Sequence, residues 1–337
     1  DMTTINTSAN TTDQTGAVSL DSVDGDGGFL SDLTINAGRA DVTIAGSVGA
    51  INRLTYLQIE GNDIRIGNIG TASDWGNVGL TSITASTSGV DAGTLTFTGT
   101  HYKTANTQTY TAAAGQNFIL SGGDTTTFES NGQSITFNAA DIKLGNNSNL
   151  VVNTGFGDIL ALKIDGTSSQ DVTLNAGTGT VTVGAIGTQT LNGINTVALT
   201  GSGGVTLNGD ITTDNTAGNS VTVTGPATLG ANVTVNTAAN VTDQTGAIAF
   251  SSTIDSTGGA RALTLTARVR WAIARSCAHA ASCAQAVRNT QWPSGRIRPV
   301  SSASGMNSAG ETSPRAGCCQ RISASAPITL PWSSTCG

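Results

Sequence analysis

Apolar and polar residues alternate along the first four-fifths of this 337-residue chain in short runs. Val221-Thr222-Val223-Thr224, Val172-Thr173-Leu174-Asn175 and Val233-Thr234-Val235-Asn236 each place β-branched or aliphatic side chains on one face and small polar ones on the other. Gly-Ser, Gly-Gly and Asn-Gly clusters interrupt the runs every six to twelve residues and read as turns. The predicted elements are therefore short strands, each too small to bury its own apolar face. Stacking successive coils about 4.8 Å apart gathers those faces into one column.

The runs belong to a longer repeat. NTSANTTDQTGAVSL (6–20) returns as NTAANVTDQTGAIAF (236–250), with ten of fifteen positions identical and an offset of 236 − 6 = 230. LTINAGRADVTIAG (33–46) has relatives in VTLNAGTGTVTVGAIG (172–187), ITFNAADIKLG (135–145) and LTLTA (263–267). Lines such as 172–195 and 196–219 set a coil of about 24 residues. Residues 1–267 then make an all-β, right-handed parallel β-helix of roughly eleven coils. The competing architecture is a sandwich or barrel of short strands. The low aromatic content, 4%, and the long-range repeat favour the solenoid, whose narrow coils should fill with Val, Ile, Leu and Ala.

Charge divides the chain at the same place as the repeat. Residues 1–267 carry 7 basic and 21 acidic side chains, 7 − 21 = −14, whereas 268–337 carry 8 Arg and Glu311, 8 − 1 = +7. All five cysteines, five of six prolines and three of four tryptophans fall in the second segment. Where the repeat calls for Gly after Ala267, Arg268 stands instead. We expect either a shifted reading frame from about codon 267 or a genuine cap. Val269, Ile273, Cys277, Ala280, Ala284 and Val287 form one apolar stripe at helical spacing, suited to a capping helix over a solenoid end. Failing that, the tail is expected to be disordered.

The phrases LTINAG-x-x-x-VTIAG, VTLNAGTGTVTVG and TGAIAFSSTIDSTGGARALTLTA make residues 1–267 resemble the repeats of large bacterial surface proteins of the filamentous haemagglutinin and autotransporter-adhesin type. The resemblance implies a right-handed parallel β-helix at the cell surface of, or secreted by, a Gram-negative bacterium. It also implies a stalk supporting attachment or biofilm formation. Host-cell glycans or receptors, or other copies of the rod, would be its partners. No signal peptide, amino-terminal secretion domain or membrane barrel is legible, and Asp1-Met2 is an unusual start, so the chain reads as an interior piece of a longer one.

Candidate chemistry is sparse. Only His101 and His279 could serve as an imidazole base. His101 sits in THYKTANTQTY (100–110) with Tyr102, Lys103 and Tyr110, which reads as a surface loop or coil edge, or as a small aromatic platform for a sugar. Asp21, Asp24, Asp26 and Asp32 form the one dense acidic cluster. It lacks calcium-loop spacing and survives in the second copy only as Asp255. The other aspartates read as turn caps bonding nearby backbone N–H groups. Cys277, His279 and Cys283 match no zinc spacing, and Cys318-Cys319 is equally unspecific. Glycine runs such as 201–204 lack phosphate-loop patterns, and an acidic rod is poorly suited to nucleic acid. A threonine ladder for ice or mineral would need an unbroken row on every coil. No apolar run is long enough to cross a membrane. The expectation is accordingly a non-enzymatic chain with no catalytic, cofactor-binding or metal-ligating residues. The alternative is a β-helical polysaccharide lyase or glycosidase, which would reveal itself by a groove carrying clustered acids and a Lys or Arg on one face of adjacent coils. Lys103, Lys143 and Lys163 are the only lysines available for it.

Overall fold

The computed structural model describes residues 2–8, 16–27, 31–71, 78–85, 93–188, 193–214, 218–237, 246–267, 270–273, 321–322 and 328–331. Among them the protein is all β, without a helix, and its strands stack as a parallel β-solenoid with three faces. Face one is an eleven-stranded sheet running from Met2–Asn6 to Ile254–Ser256. Face two begins as a seven-stranded sheet from Val18–Leu20 to Ile164–Gly166. It continues through the bridges Ile164–Ile186 and Ile186–Ile211 into a second sheet containing Val233–Asn236 and Ala262–Thr266. Face three starts as single bridges Val23–Val48–Ile69–Tyr102 and becomes a ladder from His101–Thr104 onward. Successive rungs on face one lie 22 residues apart at the shortest (Ile159 to Val181) and 30 at the longest (Met2 to Asp32).

The period-two pattern produces this directly. In Thr180–Val183, Val181 and Val183 are fully buried while Thr180 and Thr182 face outward. Val181 stands opposite Ile159 on one side and Val205 on the other, so like positions stack on like. Parallel pairing in register gives each aliphatic column neighbours above and below, which is how strands of three to eight residues obtain a dry interior.

One phrase turns more than one corner. LTIN-AG carries the chain from face one to face two at 33–44, and VTLN-AG carries it from face three to face one at 172–183. In both, the Asn side chain accepts the backbone N–H of the glycine, Asn36 from Gly38 at 3.1 Å and Asn175 from Gly177 at 3.0 Å. Both glycines hold positive φ, +61° and +59°, a conformation that disfavours side chains. A Cβ on Gly177 would also lie 1.9 Å from the Gly155 carbonyl oxygen. The 230-residue duplication likewise keeps its local bonds but not its face. Thr7 Oγ1 donates to the Gly16 carbonyl, and Thr237 Oγ1 to that of Gly246. The first copy passes from face one to face two, the second from face two to face three. The faces are chemically interchangeable.

Two expectations need correction. The interior is not purely aliphatic: Phe97, Tyr102, Tyr110, Phe118, Phe128 and Phe137 are fully buried together, with ring centroids 4.7 to 5.6 Å apart. The rung from Gln108 to Ser134, which contributes Tyr110, Phe118 and Phe128, spans 27 residues before Ile135 takes the position of Gln108. The 22-residue rung starting at Ile159 buries no ring; its interior is aliphatic apart from Gln170 and Asp165. A longer coil encloses a wider cross-section, and rings fill it. At the other end, Arg270–Ile273 is a strand paired in parallel with Gly246–Phe250, so the ladder runs past residue 267, and Ile273 of the supposed helical stripe lies in a strand. Arg321–Ile322 and Ile328–Pro331 add to faces three and two in antiparallel sense. Val269 and the stripe residues Cys277, Ala280, Ala284 and Val287 lie outside the described residues.

Candidate functional site

The residues singled out in THYKTANTQTY divide between interior and surface. Tyr102 and Tyr110, proposed above as a surface platform, are fully buried. Tyr102 stacks on Phe128 at 4.7 Å and Tyr110 on Phe137 at 5.3 Å. Their hydroxyls are satisfied inside. Tyr102 Oη donates to the Ile66 carbonyl and accepts from Gly99 N, and Tyr110 Oη donates to Gln108 Oε1 at 2.9 Å. The buried Gln108 amide in turn donates to the carbonyls of Tyr102 and Glu129. Burial raises both phenols well above their ordinary range. The sequence hides this: Tyr102 is flanked by the polar His101 and by Lys103, itself only 7% exposed, and two polar-tipped rings in a polar stretch resemble a loop.

His101 and Lys103 lie on face three. Lys103 Nζ pairs with Glu129 on the next rung at 3.3 Å, and Lys103 stands opposite Glu129 in register. Burial lowers the His101 pKa, and the nearby Lys103 charge lowers it further. A hydrogen bond with the Gly70 backbone opposes both.

On face two, Asp141-Ile142-Lys143 and Lys163-Ile164-Asp165 lie on adjacent rungs with Ile142 opposite Ile164. The reversed charge order puts each acid against a base: Lys143 Nζ–Asp165 Oδ2 is 3.1 Å and Lys163 Nζ–Asp141 Oδ2 is 3.9 Å, with a Lys163–Asp165 contact of 3.4 Å within the same rung. Asp165 is the hub. Its Oδ1 also accepts from the Thr188 amide and hydroxyl, each at 2.9 Å. Burial would raise its carboxyl. The bonds from Thr188 and Lys143 outweigh that and hold it below the ordinary carboxylate range. Lys143, Lys163 and Asp141 keep 38, 31 and 38% of their side chains exposed, whereas Asp165 keeps 10%. Acids and lysines thus share one face of adjacent coils, one part of what the carbohydrate-active alternative calls for.

Asp124 and Asp255 accept the amide of the next residue, as turn caps do, but other aspartates bond across rungs. Asp63, Asp158, Asp165 and Asp171 each accept both the amide and the hydroxyl of a threonine one rung on: Thr94, Thr180, Thr188 and Thr196. Asp210 takes the Thr234 amide in the same way, and Asn68 those of Thr100 and His101. A carboxylate on one methylene reaches the next strand without leaving the sheet surface, which suits Asp better than Glu. In the early acidic cluster, Asp24 accepts the Ile51 and Asn52 amides and Asp26 the Ser31 hydroxyl. Among the described residues no group of three or more His, Cys, Asp or Glu is placed to hold a metal ion. His279 and the five cysteines lie outside the described residues.

The fold places the chain among parallel β-solenoids. No protein-family model, curated protein or solved structure matches it. No helix among the described residues is long and apolar enough to cross a membrane.

Proposed function

We propose that this chain is a structural, non-enzymatic stalk segment of a large surface-exposed or secreted bacterial adhesin, of the filamentous haemagglutinin-like type its repeats resemble. Its work is mechanical: it holds a distal binding element away from a Gram-negative cell and supports attachment or biofilm formation. The observation that carries the reading is where the chain's functional groups are used. The three lysines, the aspartate–threonine pairs and the buried Tyr102 are engaged in bonds between rungs, the bonds that bear load along the rod axis. The acidic surface keeps neighbouring rods apart, and any glycan or receptor would be met at outward side chains. The test is to display the chain on a non-adherent cell and to pull single molecules end to end. Stepwise lengthening in units of one coil, at forces that drop when Asp–Thr pairs are removed, is the expected result. A chain that extends without resistance would remove the mechanical role.

The face-two quartet supports a second reading, a β-helical polysaccharide lyase or glycosidase. A panel of neutral and acidic polysaccharides incubated with the chain and with Lys143→Ala decides it. Chain shortening that the substitution abolishes would establish enzyme activity and displace the stalk.

A further inference from the structure

The irregularities of this otherwise regular solenoid gather at one corner, where face two turns into face three over three consecutive rungs. The pairing of Gln170–Asn175 with Ile194–Thr200 slips between Gln170 and Val172, and that of Gly218–Thr224 with Gly246–Phe250 slips between Asn219 and Val221. Ser169 holds φ at +55°, one of four non-glycine residues in the left-handed region. Bulges and strained backbone of this kind re-aim side chains and concentrate where something is bound.

The side chains re-aimed here are oxygen donors. Asp214 is 3% exposed. Its backbone N–H donates to the Ile194 carbonyl one rung back, and its Oδ2 accepts the Ser169 hydroxyl two rungs back. Its other oxygen, Oδ1, is buried and has no partner. Ser220, 1% exposed, has an equally unpartnered hydroxyl. It precedes Val221, which stands opposite Val197, and so lies beside Thr196. Thr196 and Asn195 are held by Asp171 Oδ1; burial raises the Asp214 carboxyl above its ordinary range, the Ser169 bond opposes this, and the charge of Asp171 raises it further. Two carboxylates and the Ser169 hydroxyl thus share one bulged corner, Ser220 lies on the strand that follows Asp214, and a buried carboxylate oxygen and a buried hydroxyl are unused. An unpaired buried acceptor next to a second negative charge is costly unless a proton or a positive ion compensates it, and an ion does so without giving up the charge.

We propose that this corner binds a hard divalent cation, calcium, with Asp214 as its anionic ligand and Ser169, Ser220 and the free oxygen of Asp171 around it. Calcium takes six to eight oxygens in flexible geometry, mixing carboxylates with neutral oxygens, so two acids suffice where zinc would want more defined ligands. The ion would fasten three rungs at the place where the ladders slip.

Full-length, metal-stripped chain is titrated with terbium(III), followed by luminescence, and with calcium, followed by calorimetry and melting temperature. One saturable site per chain, a melting temperature that rises with calcium, and at least tenfold weaker binding in Asp214→Asn are expected. Absence of saturable binding to the folded chain, or undiminished binding in Asp214→Asn, overturns the proposal. If Asp214→Asn does not fold by circular dichroism, Ser220→Ala decides: weakened binding supports the site, unchanged binding rejects it.

Discussion

Lys143 Nζ lies 3.1 Å from Asp165 Oδ2, and the two residues stand directly opposite each other on adjacent rungs of face two. Asp165 is also the acceptor for Thr188 on the following rung, so one carboxylate joins three successive coils. Replacing Asp165 with Ala leaves the Thr188 amide and the Lys143 ammonium without their acceptor, and Lys163 with Asp141 alone. We expect a loss of about 1–3 kcal/mol in stability, against about 0.2–1 kcal/mol for Lys143→Ala, a partly exposed pair. Urea denaturation of both variants and of the double substitution measures this, and a Lys143→Ala cost equal to that of Asp165→Ala would contradict it.

The same carboxyl gives a pH dependence of known sign. Its folded-state pKa lies below the ordinary value of 3.8, so the folded protein binds that proton less readily than the unfolded chain does. Its stabilising contribution is complete above the unfolded value and is lost as pH falls through the folded one. Melting temperature should therefore drop more steeply below about pH 4 in the natural chain than in Asp165→Asn, the two curves converging at low pH.

Phe128 touches Phe97, Tyr102, Tyr110 and Phe137. Phe128→Ala should cost about 3–5 kcal/mol, the range for deleting a buried ring. Phe156 is 70% exposed, and Phe156→Ala should stay within about 0.5 kcal/mol. Equal effects in chemical denaturation would mean that the aromatic cluster is not in the core.

Tyr110→Phe keeps the ring and removes only the bond to Gln108 Oε1, leaving a buried acceptor unpaired. A loss of about 1–3 kcal/mol is expected, with no change in adhesion to cells or glycans beyond what instability explains. A folded Tyr110→Phe chain with altered glycan binding would restore the surface role that burial argues against.

Asp158 accepts both donors of Thr180 at 2.8 Å. In Asp158→Ala the Thr180 amide should exchange with solvent at least several-fold faster, while amides on rungs two or more away stay unchanged. Hydrogen exchange resolved by residue reads this, and uniform acceleration along the rod would show that the pair is not a local fastening.

What could be read in the sequence follows from repetition. Val181 and Val183 alternate with Thr180 and Thr182, and that alternation suffices to predict a strand with one dry face. The stack makes about nine turns, fewer than the roughly eleven that a coil of about 24 residues over 267 gives. Even Asp141-Ile142-Lys143 and Lys163-Ile164-Asp165 can be matched by eye once a 22-residue step is known. The step varies from coil to coil, however, and without it no acid can be assigned to its base.

Alternation and turn chemistry are local, and they determined that this chain forms short strands, where it turns, and that coils must stack to bury their aliphatics. Which residues meet across rungs was decided by the register of the stack. Register put the second copy of a duplicated phrase one face further round and drew Tyr102 and Tyr110 inward. It also paired Asp63, Asp158, Asp165 and Asp171 with threonines 22 to 31 residues away. The reason is geometric: contacts perpendicular to the chain depend on the summed length of every intervening corner, a quantity no local pattern carries.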